Sequence, residues 1–93
     1  GLKYKNRVGG EIKEIKLDGV FVAIGYQPNT DILKGLAEIN PRGEIVVDHQ
    51  TQQTSCPGIW AAGDTTNVLY KQINIAIGDG VKAALNIYEY LKK

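Results

Sequence analysis

The twenty residues from Gln72 to Leu91 limit the fold most strongly, because they carry the clearest helical period in the chain. Ile73, Ile77, Val81, Leu85 (or Ala84), Tyr88 and Leu91 recur at intervals of three or four and fall on one apolar stripe. The spacing predicts a long amphipathic helix whose stripe is core packing. Lys92 and Lys93 follow it and suit the negative end of the helix dipole. Gly78 and Gly80 lie inside and each costs about 1 kcal/mol relative to Ala. That cost predicts close approach to another backbone, or a frayed first turn.

The 71 residues before it offer only short segments, so the expected class is α/β, with short strands followed by one long C-terminal helix. Leu2 to Arg7 and Glu11 to Leu17 alternate around Val8-Gly9-Gly10, and the Gly pair permits a tight turn, so a β-hairpin is expected. The alternation breaks at Glu14-Ile15, which allows a bulge there. Val20-Phe21-Val22-Ala23-Ile24 is a continuous apolar run, expected to be a strand buried on both faces. Pro28 keeps Gln27 out of helical geometry, and Thr30 is placed to cap a short helical turn from Asp31 to Gly35. Asn40-Pro41-Arg42-Gly43 is a turn, Glu44 to Val47 a short strand, and Ile59 to Ala62 another that stops at Gly63-Asp64.

Composition excludes several functions. A net charge of +1 with interspersed signs gives no electrostatic case for nucleic acid. No apolar run approaches the roughly 20 residues that cross a bilayer, and no signal-peptide pattern opens the chain. The expected setting is the cytoplasm, with no membrane partner. One cysteine, Cys56, and one histidine, His49, are too few for a disulfide, a thiol-based metal site or most nucleophile–base pairs. We expect an unreactive thiol, an exposed loop histidine, and no metal or catalytic residue here. Met is absent even at position 1, which we read as a piece of a longer protein.

Chemistry concentrates where the Ile59–Ala62 segment ends. Gly63 lets backbone approach a ligand without a Cβ in the way. Asp64 can accept hydrogen bonds from sugar or ribitol hydroxyls. After a connection, Lys71-Gln72-Ile73 enters the helix, whose first amides and positive dipole end suit an electron-rich oxygen. A flavin nucleotide presents a polyol and a carbonyl of these kinds, although Asp64 after Gly63, taken on its own, reads better as turn chemistry. Trp60, in a short apolar segment, is expected to be structural.

Three strings carry a family resemblance. Thr54-Ser55-Cys56-Pro57-Gly58-Ile59-Trp60-Ala61-Ala62-Gly63-Asp64 resembles the second FAD motif of the two-dinucleotide-domain flavoprotein disulfide reductases. Residues 18 to 30 resemble that family's strand returning from the nicotinamide domain to the FAD domain, and Tyr70-Lys71-Gln72-Ile73 resembles a stretch typical of its low-molecular-weight thioredoxin reductase branch. The match covers nearly the whole chain, least so residues 1–17.

The resemblance implies a Rossmann-like parent with two domains. Residues 1–26 would end its nicotinamide-binding domain and residues 27–93 would form the C-terminal part of its FAD-binding domain. Gly63, Asp64 and Thr65 would lie at the ribitol or pyrophosphate of FAD. Gln72 and Ile73 would lie at the flavin's pyrimidine edge, with Lys71 either touching phosphate or solvated. The parent would pass electrons from NADH or NADPH through FAD to a thioredoxin-like protein disulfide. This piece lacks the first Gly-rich FAD turn, the nicotinamide domain's Gly-rich turn and the redox Cys-x-x-Cys, so alone it would be inactive. Alone it would also expose apolar surface and be unstable or self-associate, and a homo-oligomer is expected. A ferredoxin–nicotinamide reductase of the same architecture, or a non-catalytic assembly module, would present the same residues.

Overall fold

The computed structural model describes residues 1–93. It orders the chain as β1 (Leu2–Lys5), β2 (Ile12–Ile15), a 3₁₀ turn at Asp31–Leu33, a second at Gly63–Thr65, and α1 (Ile73–Leu91). The class is the expected one: small α/β, with short extended segments and one long helix at the end.

The hairpin forms where the Gly pair allowed it. Gly9 and Gly10 take φ of 89° and 69°, conformations open to residues without a Cβ. Leu2 pairs with Ile15, Lys3 with Glu14, Tyr4 with Lys13 and Lys5 with Ile12. The register is unbroken, so no bulge forms at Glu14–Ile15.

Residues 38–67 are held by single bridges rather than full strands. Ile45 is their hub, antiparallel to Ile39 and parallel to Thr66, while Val47 bridges Thr54 and Gln53 bridges Trp60. Asn40 closes the preceding turn: its side-chain oxygen accepts from the amides of Arg42 at 3.0 Å and Glu44 at 2.9 Å. Thr30 stands at the start of the first 3₁₀ turn, but its hydroxyl does not cap it. The hydroxyl donates instead to the Gly43 carbonyl at 2.7 Å, a correction to the sequence reading that ties two turns together.

The helix forms over the predicted span; its apolar stripe is not packed in a core of this chain but stands exposed, as expected of a piece taken from a longer protein. Asp79 and Ala83 are its buried residues, and the stripe Ile73, Ile77, Val81, Leu85, Tyr88 and Leu91 is 55–78% exposed. The stripe exists, but the surface that would bury it is not in this chain. The inner face is polar or small: the Trp60 indole donates to Asn86 Oδ1 at 2.9 Å, and the Trp60 ring meets Tyr90 edge-on at 5.1 Å. Lys82 Nζ donates to the His49 carbonyl at 2.6 Å and lies 3.5 Å from Asp79 Oδ1. Gly78 and Gly80 face open space, so neither close approach nor fraying explains them.

The run Val20–Ile24 is a second correction. It makes no strand, and Phe21 and Ile24 are 95% and 93% exposed. A strand exists only beside a neighbour that takes its hydrogen bonds, and no element of this chain lies there.

The result is an extended body of 65 × 27 × 22 Å with a radius of gyration of 19.5 Å, where a compact chain of this length has about 12 Å. Its accessible surface is 7610 Å², against about 5,300 Å² for a compact monomer of this mass. Element packing joins β1 to β2 and α1 to the Gly63–Thr65 turn, so the hairpin stands off as an arm. No helix is long and apolar enough to cross a membrane.

Candidate cofactor-binding site

The Gly63–Thr65 turn sits directly on the first turn of α1. Gly63 is buried with φ of 86°, and a Cβ built on it would come 3.4 Å from that of Ala76, the fourth residue of the helix. Gly63 therefore serves this packing as well as any ligand. Its carbonyl accepts from the Thr66 amide at 3.0 Å and the Thr66 hydroxyl at 2.7 Å. Thr65 and Asn67, on either side of Thr66, fasten the turn to the extended segment: Ile45 N donates to Thr65 O at 2.8 Å, and Asn67 N to Ile45 O at 3.0 Å.

Two features are left free at this end. Asp64 is exposed and joins none of the chain's ion pairs. Gln72 precedes α1 in extended geometry and its carbonyl accepts from the Ala76 amide at 2.9 Å, while the amides of Ile73, Asn74 and Ile75 have no helical carbonyl before them. Gln72 and Ile73 are both exposed. A carboxylate able to take hydroxyl hydrogen bonds thus shares one end of the molecule with amides able to give them. That donor set, over a turn whose glycine a side chain would disturb, fits the ribitol and ring carbonyl of FAD.

Lys71 has another place. Its side chain is only 13% exposed; its ammonium lies 2.8 Å from Glu44 Oε2 and donates to the carbonyls of Thr66 at 2.8 Å and Val68 at 3.0 Å. Three acceptors use its three N–H bonds, leaving none for a phosphate. Glu44, 4% exposed, also accepts from Asn40 Nδ2 at 2.9 Å and from the Tyr26 hydroxyl at 2.9 Å. The Asn40 hydrogen bond and the Lys71 hydrogen bond hold the Glu44 carboxyl at about 2, against an ordinary 4.5. For Lys71, burial alone would lower the pKa, but the Glu44 carboxylate 2.8 Å away outweighs it and leaves the amine raised. The Lys71 ammonium also stands 5.3 Å from the centre of the Tyr26 ring.

Glu44, Thr66 and Gln52 carry structure that sequence reasoning missed. Gln52 is fully buried with φ of 64°, and its amide nitrogen donates to the Ala61 carbonyl at 3.0 Å. The available signal was a polar residue, Glu44, opening an otherwise apolar short segment. Cys56 is a half-buried free thiol 3.7 Å from the Pro57 carbonyl, and His49 is exposed. No group of His, Cys, Asp and Glu is placed to hold a metal ion.

A sequence profile of the pyridine nucleotide-disulphide oxidoreductases matches residues 2–80, and the chain belongs to that family. Among individual proteins it is similar to the F subunit of alkyl hydroperoxide reductase. The identity is 56% over 91 residues for the Xanthomonas campestris pv. phaseoli protein and 50% over 91 residues for the Escherichia coli one. Each alignment covers 98% of this chain and 17% of the relative. Among solved structures it is similar to T. acidophilum thioredoxin reductase, with TM-score 0.87 and 48% identity over 98% of this chain and 30% of that one. Lactococcus lactis thioredoxin reductase gives TM-score 0.82 and 34% identity, covering 95% and 29%. The chain thus spans less than a fifth of these curated relatives and under a third of these structures.

Proposed function

We propose that this chain forms part of the FAD-binding domain of a flavoprotein disulfide reductase that carries electrons from NADH or NADPH to a protein disulfide. The observation that carries the reading is the seating of the Gly63–Asp64 turn on the first turn of α1, which gathers a free carboxylate and free amides at one end. Asp64 would accept from ribitol hydroxyls, Gly63 would allow close approach, and Thr65 would fix the turn through its carbonyl. Gln72 and Ile73 would give backbone hydrogen bonds to the flavin edge, with the positive end of the helix dipole behind them. FAD itself supplies the step between a two-electron hydride donor and a disulfide.

The division of labour at residue 26 belongs to the same reading. The arm before Tyr26 would be nicotinamide-domain structure and residues 27–93 FAD-domain structure, which the lack of packing between hairpin and helix supports. The whole protein would reduce a thioredoxin-like disulfide in the cytoplasm, where a lone thiol such as Cys56 stays reduced. This chain alone, without the Gly-rich turns or a Cys-x-x-Cys, would not turn over.

The test is flavin retention by the full-length protein after dialysis, read from its visible absorption. Asp64→Ala and Gln72→Ala are expected to release FAD more readily than the parent. Undiminished retention in both variants would overturn the assignment of this end to the cofactor.

A further inference from the structure

The Glu44–Lys71 pair sits at the root of the connection leading into α1, and the bonds of Lys71 bear directly on that connection. Lys71 precedes Gln72 directly. Its ammonium reaches back to the carbonyls of Thr66 and Val68, so one side chain gathers both ends of the Thr66–Lys71 connection. The other side-chain ties there run through Thr66 and Asn67, and none reaches Leu69, Tyr70 or Lys71: the Thr66 hydroxyl donates to Gly63 O at 2.7 Å, Val68 N donates to that hydroxyl at 3.3 Å, and Val47 N donates to Asn67 Oδ1 at 3.2 Å. Leu69 and Tyr70 lie exposed. What keeps Lys71 in this position is the Glu44 carboxylate, itself pinned by Asn40 and Tyr26.

A buried ion pair is a poor way to gain stability, since apolar residues of similar volume often do as well or better. Its advantage is direction. Charge-assisted hydrogen bonds at 2.8 Å fix the angle of a donor that an apolar contact would leave free.

We infer that Glu44 is a positioning residue for the cofactor end of α1, holding the Thr66–Lys71 connection in the shape that delivers Gln72 and Ile73 to the flavin. The inference rests on the placement of Gln72 and Ile73 proposed above. Glu44 touches no cofactor atom and acts through Lys71.

The experiment uses the full-length, flavin-loaded protein. Glu44→Gln removes the charge and leaves Lys71 buried alone. The double variant Glu44→Gln/Lys71→Met removes both charges and spares the fold an unpaired cation. Glu44→Asp keeps the charge and shortens the reach by one methylene. Flavin circular dichroism, FAD retention and Tm are read for each.

Both charge-removing variants are expected to change the flavin dichroism and weaken FAD retention by about tenfold, the scale of one lost charge-assisted hydrogen bond. The double variant should do so with a Tm close to the parent's. Glu44→Asp should show a smaller change of the same sign. Parent-like dichroism and retention in the double variant, or in Glu44→Asp should the double not fold, would overturn the inference and leave Glu44 a stabilising residue only. Gln72→Ala, measured alongside, separates the two failures. If it alters the flavin signals while the Glu44 variants do not, the fault lies with Glu44; if it too is silent, the placement of the flavin falls as well.

Discussion

A Cβ on Gly63 would rest 3.4 Å from the Cβ of Ala76, so the turn bearing Asp64 and the opening turn of α1 meet at van der Waals contact. Gly63 also holds φ of 86°, which costs an L-residue about 1–2 kcal/mol. Gly63→Ala in the full-length protein should therefore lower stability by about that amount, read as a fall in the urea midpoint. FAD retention should drop with it, because relaxation of the strained backbone angle shifts the turn that carries Asp64.

Acid should weaken the region around Glu44 in a defined window. Its carboxyl is held at about 2 in the fold against an ordinary 4.5, so its contribution is complete above about 4.5 and disappears as pH falls toward 2. Lys71 is shifted the other way: its raised pKa gives a contribution present at neutral pH and lost only as pH climbs through the raised value. Glu44→Gln should flatten the acid limb of the stability profile of the full-length protein between about 4.5 and 2. Denaturant melts across that range check this, and an unchanged slope would contradict it.

Asn86 is the partner of the Trp60 indole across the helix face. Asn86→Leu leaves that half-buried N–H without its acceptor, which costs about 1 kcal/mol, the low end of the range for a fully buried group. Adding Trp60→Phe to the Asn86→Leu variant removes the orphaned donor and should recover part of the loss. A double-mutant cycle by denaturant unfolding measures the recovery, and strict additivity would show that the bond contributes nothing.

Expressed as residues 1–93 alone, the chain should self-associate. It leaves Ile73, Ile77, Val81, Leu85 and Tyr88 exposed along one helix, and its surface exceeds that of a compact monomer by about 2,300 Å². Size-exclusion chromatography with light scattering tests this, and a compact monomer that binds no apolar dye would refute it.

The hairpin and the helix were legible because each is a local pattern: Gly9-Gly10 permits the turn, and the three-to-four spacing of apolar residues marks α1. Which face of α1 is buried was not legible from its period; that the stripe would stand exposed followed only from reading the chain as a piece of a longer protein. Periodicity locates a stripe but says nothing about whether the surface that covers it lies in the same chain. Val20–Ile24 failed for the same reason, since apolar continuity signals a strand only where neighbours exist to pair with it. The Glu44–Lys71 pair spans 27 positions, and nothing in either local sequence announces the other. Gly63, Asp64 and Gln72 could be singled out from sequence, whereas Lys71's preference for Glu44 over open solvent needed coordinates.

The inner face of α1 makes contacts by matching donors to acceptors: the Trp60 indole to Asn86, and Lys82 to the His49 carbonyl. Apolar packing tolerates a helix that rolls, but hydrogen bonds do not. Turning α1 by a single residue, about 100° around its axis, would break both matches at once. The phase of the helix is therefore set from within these 93 residues, before anything covers its outer stripe. Whatever docks there meets a row of side chains already aimed, and assembly has only to recognise an orientation it does not have to choose.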